Sequence, residues 1–138
     1  MAAVERLVTV ADIEDEVADD RHVSVKARHE AVLTDGRRVV LLDDRGWGST
    51  QLWTAISAEE VQETTRMVVG PDEPPEDRTW QDMQADHWSH LARILRRHGV
   101  AADAHRLGRL RHDVVLSERL LVRIGHDPAA GARSVVQP

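Results

Sequence analysis

The chain has 138 residues, a net charge of −6, and 41% hydrophobic against 30% charged residues, a size and balance that suit one soluble globular domain. No segment approaches the ~20 apolar residues of a membrane-spanning helix, the start lacks a basic and apolar secretory leader, and the absence of cysteine excludes disulfides, thiolate nucleophiles and sulfur-ligated zinc. The expectation is a cytoplasmic protein with no membrane partner and no cofactor.

Residues 1–20 hold seven acids against Arg6, which marks residues 1–21 as an acidic N-terminal segment. Within it, residues 5–10 suit a short strand at the edge of a sheet, and residues 12–18 an acidic helical turn. Strict alternation follows over residues 22–34, where Val23, Val25, Ala27, Ala31 and Leu33 share one face; this is the period of a half-buried strand. Asp35-Gly36 then fits a two-residue hairpin turn. That register sets Ala31 opposite Val40 and His29 opposite Leu42, with His29 pointing into the core. The return strand, residues 38–43, is apolar on both faces and therefore central. Asp44-Arg45-Gly46-Trp47-Gly48 is expected to turn, and residues 49–56 to complete a three-stranded antiparallel meander.

Helical periodicity begins after Ser57, which with Glu60 forms a capping box for residues 58–69. Three prolines between 71 and 78 make a stiff connector. Thr79 caps the longest predicted helix, residues 80–98, whose apolar stripe runs through Trp80, Met83, His87, Leu91, Ile94 and Leu95, with Gly99 as its stop. A short turn over residues 103–110 leads to a third predicted helix, residues 113–124. The whole is an α+β domain over residues 1–125, with a meander at 22–56, a helical part at 57–125 packed on one face of the sheet, and a flexible tail at 126–138.

The aromatic residues are Trp47, Trp53, Trp80 and Trp88, since the chain has no Phe or Tyr. As the largest apolar bodies available, at least two of them should sit in the core. Seventeen arginines face the single Lys26, a bias that matches a GC-rich bacterial genome and weakens each Arg as a sign of phosphate or carboxylate recognition.

Among chemical constellations, Asp86, His87 and His90 lie near one side of a helical turn. With His29 from the sheet they outline a nitrogen- and oxygen-ligated metal site or a general acid–base pair. Neither the His-Glu-x-x-His spacing nor a second ligand pair accompanies them, so a buried histidine beside a solvent-facing His90 competes. Gly46 and Gly48 with Ser49 and Thr50 lack the lysine and the following helix of a phosphate loop. No Gly-x-Ser-x-Gly elbow frames any serine. Arg93, Arg96, Arg97, Arg106, Arg109 and Arg111 offer the phosphates of a nucleic acid a cationic surface, against which stand the net acidity and the lack of stacking aromatics there.

With no complete catalytic set, the chain is read as a binder of another, basic protein: a regulator, an accessory subunit or a toxin-neutralising partner. The contact patch would be Trp47 displayed on its turn with Arg45 and Trp53, supported by Asp43 and Asp44. Segregated charge also admits self-association. The reading requires a closed seam between the sheet and the long helix, without a wet hollow lined by imidazoles.

Overall fold

Four strands and four helices form in the computed structural model, which describes residues 2–14 and 22–125. The strands are β1 (Val4–Ile13), β2 (His22–Leu33), β3 (Arg38–Leu52) and β4 (His112–Leu116). They make one sheet in the order β3-β2-β1-β4. β1 and β2 are antiparallel, as are β2 and β3, whereas β4 lies parallel to β1. The expected α+β architecture is present, and its antiparallel meander is β1-β2-β3.

The N-terminal strand is central rather than at an edge, and it is longer than expected. The return strand at 38–43, expected to be central, instead lies at the edge of the sheet in β3, because Val39, Leu41 and Leu42 all bury on one side while Val40 is exposed on the other. Leu7, Thr9, Ala11 and Ile13 point to one face and pair with Ala31, His29, Ala27 and Val25 of β2. Asp12 and Ile13 belong to this strand, which removes the start of the expected helical turn; residues 15–18 lie outside the described residues, as does the tail at 126–138.

The hairpin between β2 and β3 has three loop residues, not two. Leu33 accepts from Gly36 N–H (2.9 Å) and donates to Arg37 C=O (2.8 Å), with Gly36 at φ +90°, the left-handed position that closes a three-residue loop. Ala31 therefore faces Val39 instead of Val40, yet His29 still faces Leu42. Leu41 is an inserted bulge residue between the pairs Val40–Glu30 and Leu42–His29, and it restores the offset.

β3 runs unbroken through Gly46-Trp47-Gly48, so the expected turn and separate third strand at 49–56 are one continuous strand ending in a 3-10 turn, Trp53–Ala55. Gly46 serves a close approach. A Cβ on Gly46 would lie 2.9 Å from the Val25 carbonyl oxygen, closer than side-chain carbons tolerate.

The helices are α1 (Ala58–Val68), α2 (Trp80–Arg97), α3 (Ala104–Leu107) and α4 (Glu118–Arg123). Ser57–Glu60 and Thr79–Asp82 both form full capping boxes. The expected helix at 113–124 divides: Val114 and Leu116 alternate inward as β4, and Ser117 then caps α4 by accepting from Leu120 N–H. Trp80 leaves the predicted stripe and is 55% exposed.

Helices cover the face that carries Leu7, Thr9 and Ala11. Two apolar clusters form beneath them. One joins Leu7, Leu33, Leu41 and Leu42 to Leu91, Leu95 and Leu107, with Trp88 against it. The other joins Ile13, Val25 and Trp53 to Val61, Val114 and Leu120, with Trp47 against it. Alternation places Val10, Asp12, Lys26, Arg28, Glu30, Arg38 and Val40 on the opposite face. Among the described residues no helix is long and apolar enough to cross a membrane.

Candidate functional site

A polar layer separates the two apolar clusters. Thr9 sits on the inward face of β1, and its hydroxyl oxygen lies 2.7 Å from His29 Nδ1 and 2.7 Å from His112 Nε2. The two rings meet edge-on with centroids 4.9 Å apart. A hydroxyl carries one proton, so in the neutral pair one imidazole accepts from Thr9 and the other donates to it. His29 is 1% exposed. Burial, with repulsion from His112, His87 and Arg45, lowers its pKa to about 3. Burial and then Arg66 lower His112 to about 4. Burial and then Arg45 lower His87 to about 4, Asp72 acting in the opposite sense.

Of the four residues combined in the metal or acid–base reading, the fold brings His29 into this layer, sets His87 near enough to act on His29 electrostatically while its ring meets Trp88, and leaves the other two outside. Asp86 pairs with Arg78 at 2.6 Å on the surface, and His90 is exposed. His112, which the sequence reading did not select, takes their place. Its signal was indirect: Thr9 is a polar residue breaking an apolar alternation at the level of His29. No group of three or more His, Asp or Glu side chains is placed to hold a metal among the described residues. Neither is any buried side-chain nitrogen or oxygen there left without a partner.

The proposed contact patch divides between two faces. Arg45 points toward the helices, donating to Val68 C=O (3.1 Å) and pairing with Asp72 (3.2 Å). Trp47 is half-buried on the same side, and its indole N–H donates to Thr65 Oγ1 at 3.0 Å. Trp53 is 4% exposed, with Arg123 over its ring. Asp43 and Asp44 are exposed. Because β3 continues through Gly46 and Gly48, Trp47 is not displayed on a turn.

The face opposite the helices carries a concavity of about 590 Å³, lined by Val10, Lys26, Arg28, Glu30, Arg38 and Asp43 among others. Glu30, 4% exposed, is doubly held: Arg28 Nε and Arg38 Nε each donate to one of its oxygens at 2.8 Å. At its rim, burial alone would raise the Asp12 pKa, but hydrogen bonds from Arg119, Ser117 and Ile13 N–H outweigh it and hold the carboxyl at about 2. A second concavity, about 300 Å³, lies between Ala3, Val4 and the 101–110 segment. Both are away from the imidazole layer. In the arginine-rich region Arg96 donates to Ala102 C=O and Arg111 pairs with Asp113, so two of the six expected phosphate contacts are engaged within the chain.

The two sheet edges differ. At β4, Gln62 and Arg66 of α1 donate to the carbonyls of Val114 and His112, capping that edge. β3 pairs only with β2, and among the described residues no side chain from another element caps its outer backbone. Comparison with protein-family models, with curated proteins and with solved structures gives no match.

Proposed function

We propose that the chain is a non-catalytic protein-binding module that engages its partner along the outer edge of β3 and the sheet face beside it. The observation that carries this reading is the asymmetry of the edges: one is capped by side chains of α1, and the other is the unpaired outer edge of a fifteen-residue strand. An unpaired edge is a template for another extended chain, whose backbone supplies affinity while alternate side chains supply specificity. Val40 and Leu52, 38% and 47% exposed, give this edge apolar contact points. Arg38, Asp43 and Asp44 give it charge of both signs, a feature that favours selection over tightness.

The imidazole layer supports a structural role in this reading, because Thr9 consumes the facing nitrogens of His29 and His112. The setting remains the cytoplasm of a bacterium, as the composition suggests. A photo-crosslinking amino acid placed at Val40 should capture a partner in cells of the native host, and the same group at Met67, 76% exposed on α1, should not. Capture from Met67 with none from Val40 would refute the proposal.

A further inference from the structure

We infer that the β3 edge binds a second copy of this chain, joining two sheets antiparallel across a two-fold axis at Val40; this rests on the reading of β3 as the binding edge. The segment at issue is Arg37-Arg38-Val39-Val40-Leu41-Leu42-Asp43-Asp44, two cations, four apolar residues and two anions. Read antiparallel against itself, it sets cations opposite anions at both ends.

A regular strand could not use that complementarity, because residues paired across a two-fold must share a face, and 38 and 43 differ in parity. The bulge removes the conflict. Val39, Leu41 and Leu42 are all buried on the helix side, whereas Arg38, Val40, Asp43 and Asp44 are exposed. Leu41 and Leu42 count as one step of the ladder, so that Val40 meets its own copy, Val39 meets the leucine pair, and Arg38 meets Asp43 on the same face. The hydrogen-bond phase agrees. Leu33 N–H donates to Arg37 C=O, and alternation from that pair turns the N–H and C=O of Arg38 and Val40 away from β2. Those groups face outward where the copy would lie.

The charges are available. Arg38 donates from Nε to Glu30 and Arg37 from Nε to Asp35, and no second acid pairs with either guanidinium among the described residues. Asp43 and Asp44 have no ion-pair partner among the described residues. Bulges and charges usually protect an edge against pairing; here they block strangers while matching the chain to itself.

The chain has no cysteine, so Val40→Cys places one thiol at the two-fold. Hydrogen-bonded antiparallel pairs hold Cα atoms ~5.5 Å apart, within the ~4.4–6.8 Å of a disulfide. Mild oxidation should give a covalent dimer from Val40→Cys and none from Val115→Cys, which is exposed on β4 at the opposite edge of the sheet. In analytical ultracentrifugation the native sequence should dimerise reversibly, and Asp43→Arg should weaken the dimer by on the order of tenfold or more with an unchanged far-ultraviolet spectrum. Val40→Pro, which deletes an outward N–H, should also dissociate it. A native chain that stays monomeric at high concentration, a dimer indifferent to Asp43→Arg, or equal cross-linking from Val115→Cys would each overturn the dimer. A heterologous partner still captured at Val40 would in that case leave the binding edge standing, whereas no capture there would remove both.

Discussion

Lowering the pH from 7.5 to 5 should destabilise the fold steeply, because the layer between the two cores is built from neutral imidazoles. His29, with a folded pKa of about 3 against 6.5 unfolded, is protonated far more readily in the unfolded chain. A depressed folded value means that stability is complete above pH 6.5 and declines as the pH falls, levelling only below about 3. At pH 5 the unfolded chain gains about 2 kcal/mol from this one residue. His87 and His112, at about 4 each, are half-buried, so their combined effect is discounted for solvent screening to about 2 kcal/mol. A loss of about 4 kcal/mol is a large part of a typical 5–15 kcal/mol stability. Urea unfolding followed by tryptophan fluorescence at pH 7.5, 6 and 5 measures it. His29→Gln keeps a neutral side chain that can hydrogen-bond Thr9, and it should remove about half of the pH dependence. A midpoint that is flat between pH 7.5 and 5, or a slope unchanged by His29→Gln, would refute the argument.

Other substitutions separate the remaining claims. Trp47→Ala should cost about 2–3 kcal/mol, less than a fully buried indole, with Trp47→Phe milder but still affected by the loss of the bond to Thr65; an unchanged urea midpoint would make the side chain a surface anchor instead. Gly46→Ala should cost about 1–3 kcal/mol by overpacking, whereas Gly48→Ala, whose new carbon would meet Val23 C=O at 3.5 Å, should cost less than about 1; equal effects in thermal unfolding would count against the close-approach explanation. Asp12→Asn weakens the contacts with Arg119 and Ser117 and should cost about 1–2 kcal/mol at pH 7. Because the Asp12 pKa is lowered from 3.8 to about 2, its contribution is present above pH 3.8 and lost toward pH 2, below most of the histidine window, and an acid titration of the variant should lack that component.

The legible parts of this fold were those where local chemistry and tertiary structure agree. Alternation found β2, and the capping box at Ser57 and the cap at Thr79 placed the starts of α1 and α2, because a cap is decided by residues within three positions of it. The errors came where a long-range neighbour overrides the local pattern. Gly46 and Gly48 carry a turn signature, yet they are in a strand because β2 presses against the backbone at Gly46. Residues 113–124 have apolar spacing compatible with a helix, but Val114 and Leu116 are claimed by the vacant edge of β1, which no local rule reveals. The imidazole layer was half legible: His29 was correctly turned inward, while Thr9 and His112 come from strands 103 residues apart. Two register errors cancelled at His29, since the extra loop residue and the Leu41 bulge shift the ladder in opposite directions.

That layer also links the interior to the proposed binding edge. Apolar residues tolerate sliding between neighbouring strands, but Thr9 finds both imidazoles only when β2, β1 and β4 are in a single register. A one-residue slip would turn His29 outward and bury Arg28 instead, at a cost of several kcal/mol for an unpaired buried charge. Register fixed at His29 is passed to β3 through the pair with Leu42, directly beside the bulge that sets Val40 and Asp43 outward. Thr9→Val should therefore do more than remove two hydrogen bonds. It should loosen the register that presents the edge, so that slower-exchanging amides of β3 become faster and self-association weakens together with stability. Weakened association with β3 exchange unaltered would separate the two and confine Thr9 to local packing.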